Sequence, residues 1–145
     1  MSLKITPIQS ELHWENVDLN LEMFSTKIEA ISDKTDIIIL PEMFNTGFSM
    51  KSDELSEGMN GKTVSWMTTE AKKSAAVIVG SLIIKEENKF YNRLIWAQPD
   101  GEIKTYDKRH LFRMANEHNH FSSGEERIII EYKGWKICPL VCYDL

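Results

Sequence analysis

Cysteine is scarce, with only Cys138 and Cys142 in 145 residues. Two are too few for a disulfide scaffold, so a reducing, cytoplasmic location is expected. No stretch reaches the roughly 18 consecutive apolar residues that cross a bilayer. The start, MSLKITPIQS, lacks the apolar core of a secretory signal, so no membrane partner is expected. There is no Lys/Arg tract, and the net charge is 17 − 22 = −5. The imbalance sits in residues 1–60, at 4 − 11 = −7, against 13 − 11 = +2 for residues 61–145. Such a chain offers phosphates little, and nucleic acid is not an expected partner. Repeats, low-complexity tracts and Pro/Gly/Ser linkers are also missing. With 42% hydrophobic and 27% charged residues, the composition is that of an ordinary globular domain, taken as one unit over 1–145.

Leu3–Gln9 reads as a short strand. Trp14, Val17, Leu21, Phe24, Ile28 and Ile31 recur three and four apart, which predicts a helix over 15–32 capped by Glu15 or Asn16. The run Ile37-Ile38-Ile39-Leu40 predicts a strand buried on both faces, completing a βαβ unit. Residues 41–61 read as a long loop and Thr63–Ser74 as a second helix. Ala76–Lys85 and Phe90–Gln98 form a hairpin across Glu86-Glu87-Asn88-Lys89, and Pro99-Asp100-Gly101 turns the chain into a strand over Glu102–Tyr106. After an irregular polar stretch, Arg127–Tyr132 and Trp135–Val141 form another hairpin. The expectation is an α/β fold with a mixed sheet and helices on its face.

Three functional groups stand just beyond apolar strands, where α/β folds expose side chains on turns. Cys142 follows Ile137–Val141. It is either a core thiol or a nucleophile; a helix beginning after it would favour thiolate, and the Tyr143 N–H would face an oxyanion. Cys138, on the strand, reads as core. Glu42, beside the buried Ile37–Pro41 run, is either an exposed loop carboxylate or a proton shuttle. Lys108 is either one of a solvated cluster with Lys104, Arg109 and Arg113 or an ammonium held in a cleft that pairs with Glu42. His118 and His120 lack metal-ligand spacing and read as solvated; His13 and His110 stand alone, and no metal is expected. GxSxG, P-loop and GxGxxG motifs are absent.

Taken together, Pro41-Glu42-Met43-Phe44, Asp107-Lys108-Arg109-His110-Leu111-Phe112 and Val141-Cys142-Tyr143-Asp144-Leu145 resemble the nitrilase, or carbon–nitrogen hydrolase, superfamily, defined by Glu, Lys and Cys in this order. The intervals, 108 − 42 = 66 and 142 − 108 = 34, suit it. Gly80-Ser81, Tyr91-Asn92-Arg93, Pro99-Asp100-Gly101 and Phe121-Ser122-Ser123-Gly124 add context. The stretches 41–50 and 108–118 are similar to the omega-amidase branch. The resemblance implies an αββα sandwich and hydrolysis of the terminal amide of small 2-oxo dicarboxylic acid monoamides, such as 2-oxoglutaramate and 2-oxosuccinamate, through a Cys142 thioester. It implies Glu42, Lys108 and Cys142 as the catalytic residues, with Glu117 and Tyr143 in support, Phe44 against the substrate, no cofactor, and commonly a homodimer. Members run to roughly 260 residues as one domain. A sequence ending at Leu145 is therefore expected to be the N-terminal portion of such a domain, inactive and poorly soluble by itself. The rival activities are another amidase of this superfamily, on carbamoyl or aliphatic amides, and a non-catalytic α/β binding domain.

Overall fold

A computed structural model describes residues 2–145. Strand β1 (Ile5–Pro7) leads to helix α1 (Val17–Glu29). Leu21, Phe24 and Ile28 form its buried stripe, and the Asn16 side chain accepts from Leu19 N to cap it. The helix stops before the expected residue 32 because Ile31 N turns back to Ile28 O, an i→i−3 closure that tightens the last turn. Strand β2 (Ile37–Ile39) pairs parallel with β1. Its burial is one-sided at the end, since Ile39 is 39% exposed.

The stretch 41–61 is not all loop. It holds a short helix, α2 (Ser52–Leu55), and Glu57 bridges to Ile84. Glu57 also accepts from Thr63 N at 2.8 Å, capping α3 (Lys62–Ser74). Strands β3 (Val77–Glu86) and β4 (Lys89–Ala97) make the expected hairpin. It closes through two residues rather than four: Glu87 and Asn88 both take positive φ, 48° and 64°, the pairing whose twist matches the strands. Strand β5 (Ile103–Asp107) completes a five-stranded sheet in order β1-β2-β3-β4-β5, parallel through β3 and antiparallel after it.

Alternation along β3 and β4 divides the sheet into two faces. Ile78, Leu82, Ile84, Ile95 and Ala97 meet α1 and α3 through Phe24, Phe44 and Met67. Ile37, Val77, Val79, Leu94, Trp96 and Tyr106 face the other way, against Ile130 and Val141. Ile130 belongs to a two-stranded ribbon, β6 (Ile130–Tyr132) with β7 (Trp135–Ile137). Both strands are shorter than expected. Past Ile137, Pro139 has no N–H to add to a ladder, and the chain leaves the ribbon there. The layers are thus helices, mixed sheet and ribbon; among the described residues, no helix longer than four residues adds a fourth layer. Nor, among them, is any helix long and apolar enough to cross a membrane.

Candidate active site

The Glu42 loop leaves β2 and is pinned to β3. Met43 N donates to Ser81 Oγ at 3.0 Å, and Phe44 N to Ser81 O at 3.3 Å. Met43 holds φ at +49°, in the left-handed region that a side chain adopts only under constraint. The reversal sends neighbouring side chains to different sides. Phe44 is fully buried in the helix-side core, edge-on to Phe24 and tilted against Trp66. It sits over Gly80, where a Cβ would lie 2.7 Å from its ring. Phe44 therefore is not at the site, contrary to its expected substrate contact.

Lys108 follows β5, and its backbone is fixed from both sides. Its N–H donates to Asn92 O at 3.0 Å, and its carbonyl accepts from Gly124 N at 2.9 Å. Gly124 comes so close that a Cβ there would stand 2.1 Å from Asp107 O, a backbone atom that cannot step aside. Gly124→Ala is expected to cost about 1–3 kcal/mol by overpacking and to displace the lysine segment. A thermal unfolding midpoint equal to the parent's would contradict that close approach.

Lys108 is not part of a solvated cluster. Its side chain is 0% exposed, whereas Lys104 pairs outside with Glu102. The ammonium donates to Glu42 Oε1 at 2.7 Å and Glu117 Oε2 at 3.0 Å. Asn92 Nδ2 makes a second bridge between the same carboxylates, at 2.9 Å to Glu42 and 3.1 Å to Glu117. Phe112 N adds a 2.6 Å bond to Glu117 Oε2. Glu117 is enclosed, while Glu42 keeps 20% of its side chain exposed. One carboxylate is thus locked and the other faces the open side. Phe48 covers the ammonium, its ring centroid 5.5 Å from Nζ.

Cys142 stands on that open side, in a single 3-10 turn, Cys142–Asp144, with φ at +43°. Glu42, Lys108 and Glu117 are the charges that act on its thiol. Tyr143 follows it, 55% exposed, with its ring 5.3 Å from that of Phe112. The structure thus gathers Glu42, Lys108, Glu117, Cys142 and Tyr143 at one place and leaves Phe44 out.

Residues 5–145 match the model of the carbon-nitrogen hydrolase family. The chain belongs to this family. Omega-amidase YafV of Escherichia coli is 45% identical over 143 residues, 99% of this chain and 55% of the relative. The 2-oxoglutaramate amidase of Bacillus subtilis is 31% identical over 100% of this chain and 57% of its own. A CN-hydrolase superfamily structure from Xanthomonas campestris superposes with a TM-score of 0.94 at 42% identity, over 98% of this chain and 54% of that one. Nit3 of Saccharomyces cerevisiae, a nitrilase superfamily member, gives 0.87 at 28% identity, covering 98% and 56%. The chain spans about half the length of the curated relatives it matches.

In this member of the carbon-nitrogen hydrolase family, the surroundings of Cys142 favour the protonated thiol. Burial pushes the Cys142 thiol above its ordinary value, and the charge of Glu42 adds to that push, opposed by Lys108. Lys108 is held above the ordinary lysine range: burial would lower it, but the bonds to Glu42 and Glu117 outweigh that cost. Cys138, read as core, is instead exposed just past β7.

Asn92 and Ser81 serve the site without being among its expected residues. Their signal was a lone amide among Phe90, Leu94 and Trp96 on one face of β4, and a lone hydroxyl between Val79 and Ile83 on β3. His118 and His120 lie on α4 (Glu117–His120). Among the described residues, no group of three or more His, Cys, Asp or Glu side chains is arranged to hold a metal ion.

Proposed function

We propose that this chain supplies the catalytic residues of an amidase that hydrolyses the terminal amide of small 2-oxo dicarboxylic acid monoamides, 2-oxoglutaramate and 2-oxosuccinamate among them. The observation that carries the reading is the buried Lys108 ammonium on Glu42 Oε1 at 2.7 Å, with the Cys142 thiol under the influence of the same two charges. The likeness to an omega-amidase and to a 2-oxoglutaramate amidase supports the substrate class.

A neutral thiol beside a carboxylate suits a nucleophile that ionises only as it attacks. Glu42 takes the thiol proton while Cys142 Sγ bonds to the amide carbon. The oxyanion that forms is stabilised by the Lys108 ammonium and the Tyr143 backbone N–H. The C–N bond then breaks, with Glu42 returning the proton to the departing nitrogen, and ammonia leaves a thioester. Water attacks the thioester, Glu42 accepts its proton, and the C–S bond breaks to give the acid and regenerate the thiol. Glu117 and Asn92 hold Lys108 and Glu42 in register throughout. No metal or organic cofactor enters this scheme. The reading extends to a cytoplasmic homodimer, with the two free cysteines supporting a reducing compartment.

The test is ammonia release from 2-oxoglutaramate by the protein expressed from its complete reading frame, beside Cys142→Ala. Release by the parent, reduced at least about 10⁴-fold in the variant, is expected. Equal release by both would sink Cys142 as nucleophile. No release from any of a panel of carbamoyl, aliphatic and 2-oxo amides would sink the amidase reading.

A further inference from the structure

Asp144, two residues after Cys142, has no exposed side-chain surface and accepts hydrogen bonds from both flanks of the lysine segment. Tyr106 Oη donates to Oδ2 at 2.6 Å, and His110 N donates to Oδ1 at 2.9 Å, with His110 Nδ1 also 2.9 Å from Oδ1. Tyr106 lies two residues before Lys108 and His110 two after it. The fourth bond closes on the cysteine's own turn, Val141 N to Oδ2 at 3.0 Å. One carboxylate thus ties the strained turn of Cys142 to the segment that carries Lys108, across 34 and 38 residues of sequence.

We infer that Asp144 is a positioning residue: it holds the Cys142 turn at a fixed distance from the Lys108–Glu42 pair, so the thiol stays against the base. The inference rests on the proposed roles of Cys142 and Glu42. A φ of +43° at Cys142 is unfavourable for a residue with a Cβ, and the turn persists only where its surroundings over-determine it. The four bonds supply that constraint. Burial would make the Asp144 carboxylate costly, yet the bonds from Tyr106, Val141 N and His110 hold its pKa below the ordinary aspartate range, so all four donors meet an anion at neutral pH. The groups facing Asp144 are Tyr106, His110 and Arg109; those facing the thiol are Glu42, Lys108 and Glu117.

The test follows the rate of Cys142 alkylation by iodoacetamide against pH, read on the Cys142 peptide by mass spectrometry. It uses the complete reading-frame product, its Asp144→Asn variant and Glu42→Gln. In Asp144→Asn the new NH₂ confronts donors, the turn is released, and the thiol moves away from the Glu42 charge that pushes it up. The alkylation midpoint should fall and the rate at pH 7 rise at least about threefold. Tyr106→Phe removes one donor while keeping the buried ring, and should move the midpoint the same way by less. It decides the matter if Asp144→Asn does not fold. A purely structural Asp144 would lower the unfolding midpoint and leave the alkylation profile of every folded variant superimposable on the parent's; that result overturns the inference. Glu42→Gln separates the two claims. If it leaves the profile unmoved, the Glu42–Cys142 pairing fails, whatever the Asp144 variant does.

Discussion

Lys108→Met is expected to destabilise the fold by about 3–5 kcal/mol, because removing one member of a buried ion pair leaves charge without compensation. Methionine matches the length of the lysine stem, so the loss is electrostatic and not a cavity. Two carboxylates would face each other across the vacated position, with Asn92 Nδ2 as their one shared donor. Glu117 has the worse of it, since it is fully enclosed and its remaining support is Asn92 and Phe112 N. The pH dependence has a definite sign. The Lys108 ammonium is held above its ordinary value, so its contribution is complete below the unfolded lysine value of about 10.4 and disappears as pH rises through the folded one. The gap between parent and variant is therefore full at pH 8. In acid it narrows, because the orphaned carboxylates of the variant can protonate. Urea denaturation at pH 8 and pH 5 checks both points. A variant as stable as the parent at pH 8 would mean that the cluster is not held together by its ammonium. Amide turnover should vanish at either pH, since the oxyanion loses its cation.

Each of the three motifs places a polar group directly beyond an apolar run, a pattern that leaves a core thiol, a loop carboxylate and a solvated lysine equally open; the resemblance singles them out, and the fold brings them to one place. Glu42 and Phe44 are instructive as a pair. Their spacing gives no hint that they part company, because the divergence comes from a left-handed Met43 that Ser81 holds from β3. His110 read as a solitary histidine, and Asp144 as one more residue of the cysteine motif. Each acquires meaning only from the other, over 34 residues of intervening chain. Local periodicity carries no information about such a contact. Element ends blur as well: β7 stops at Ile137, short of Pro139, which has no N–H to add to a ladder. Asn92 is the counter-example. An amide alternating with Phe90, Leu94 and Trp96 on one face of a strand has to answer to some buried polar partner, and that partner is the pair of glutamates.

Glu42→Gln should move thiol acidity and turnover in opposite directions. The thiol of Cys142 is pushed up first by burial and then by the negative charge of Glu42, while Lys108 pulls it down. Glutamine keeps the shape and an oxygen to accept from Lys108 and Asn92 but removes the charge. The alkylation midpoint of Cys142 should therefore fall, leaving more thiolate at pH 7 than in the parent. Were thiolate population the limiting quantity, the variant would be the faster enzyme. The proposed scheme requires the opposite. Glu42 must accept the thiol proton, deliver it to the departing nitrogen and then activate water, and an amide side chain can do none of these. Loss of a general acid–base group costs roughly 10²–10⁴-fold in rate, so ammonia release should drop by about that factor while alkylation accelerates. Measuring both on one preparation makes the distinction sharp. If both rise together, Glu42 only restrains a nucleophile that needs no base. If turnover falls and the alkylation midpoint does not move, the carboxylate acts on the leaving group without touching the thiol. Only the divergent result fits a proton that travels from Cys142 through Glu42 to the product.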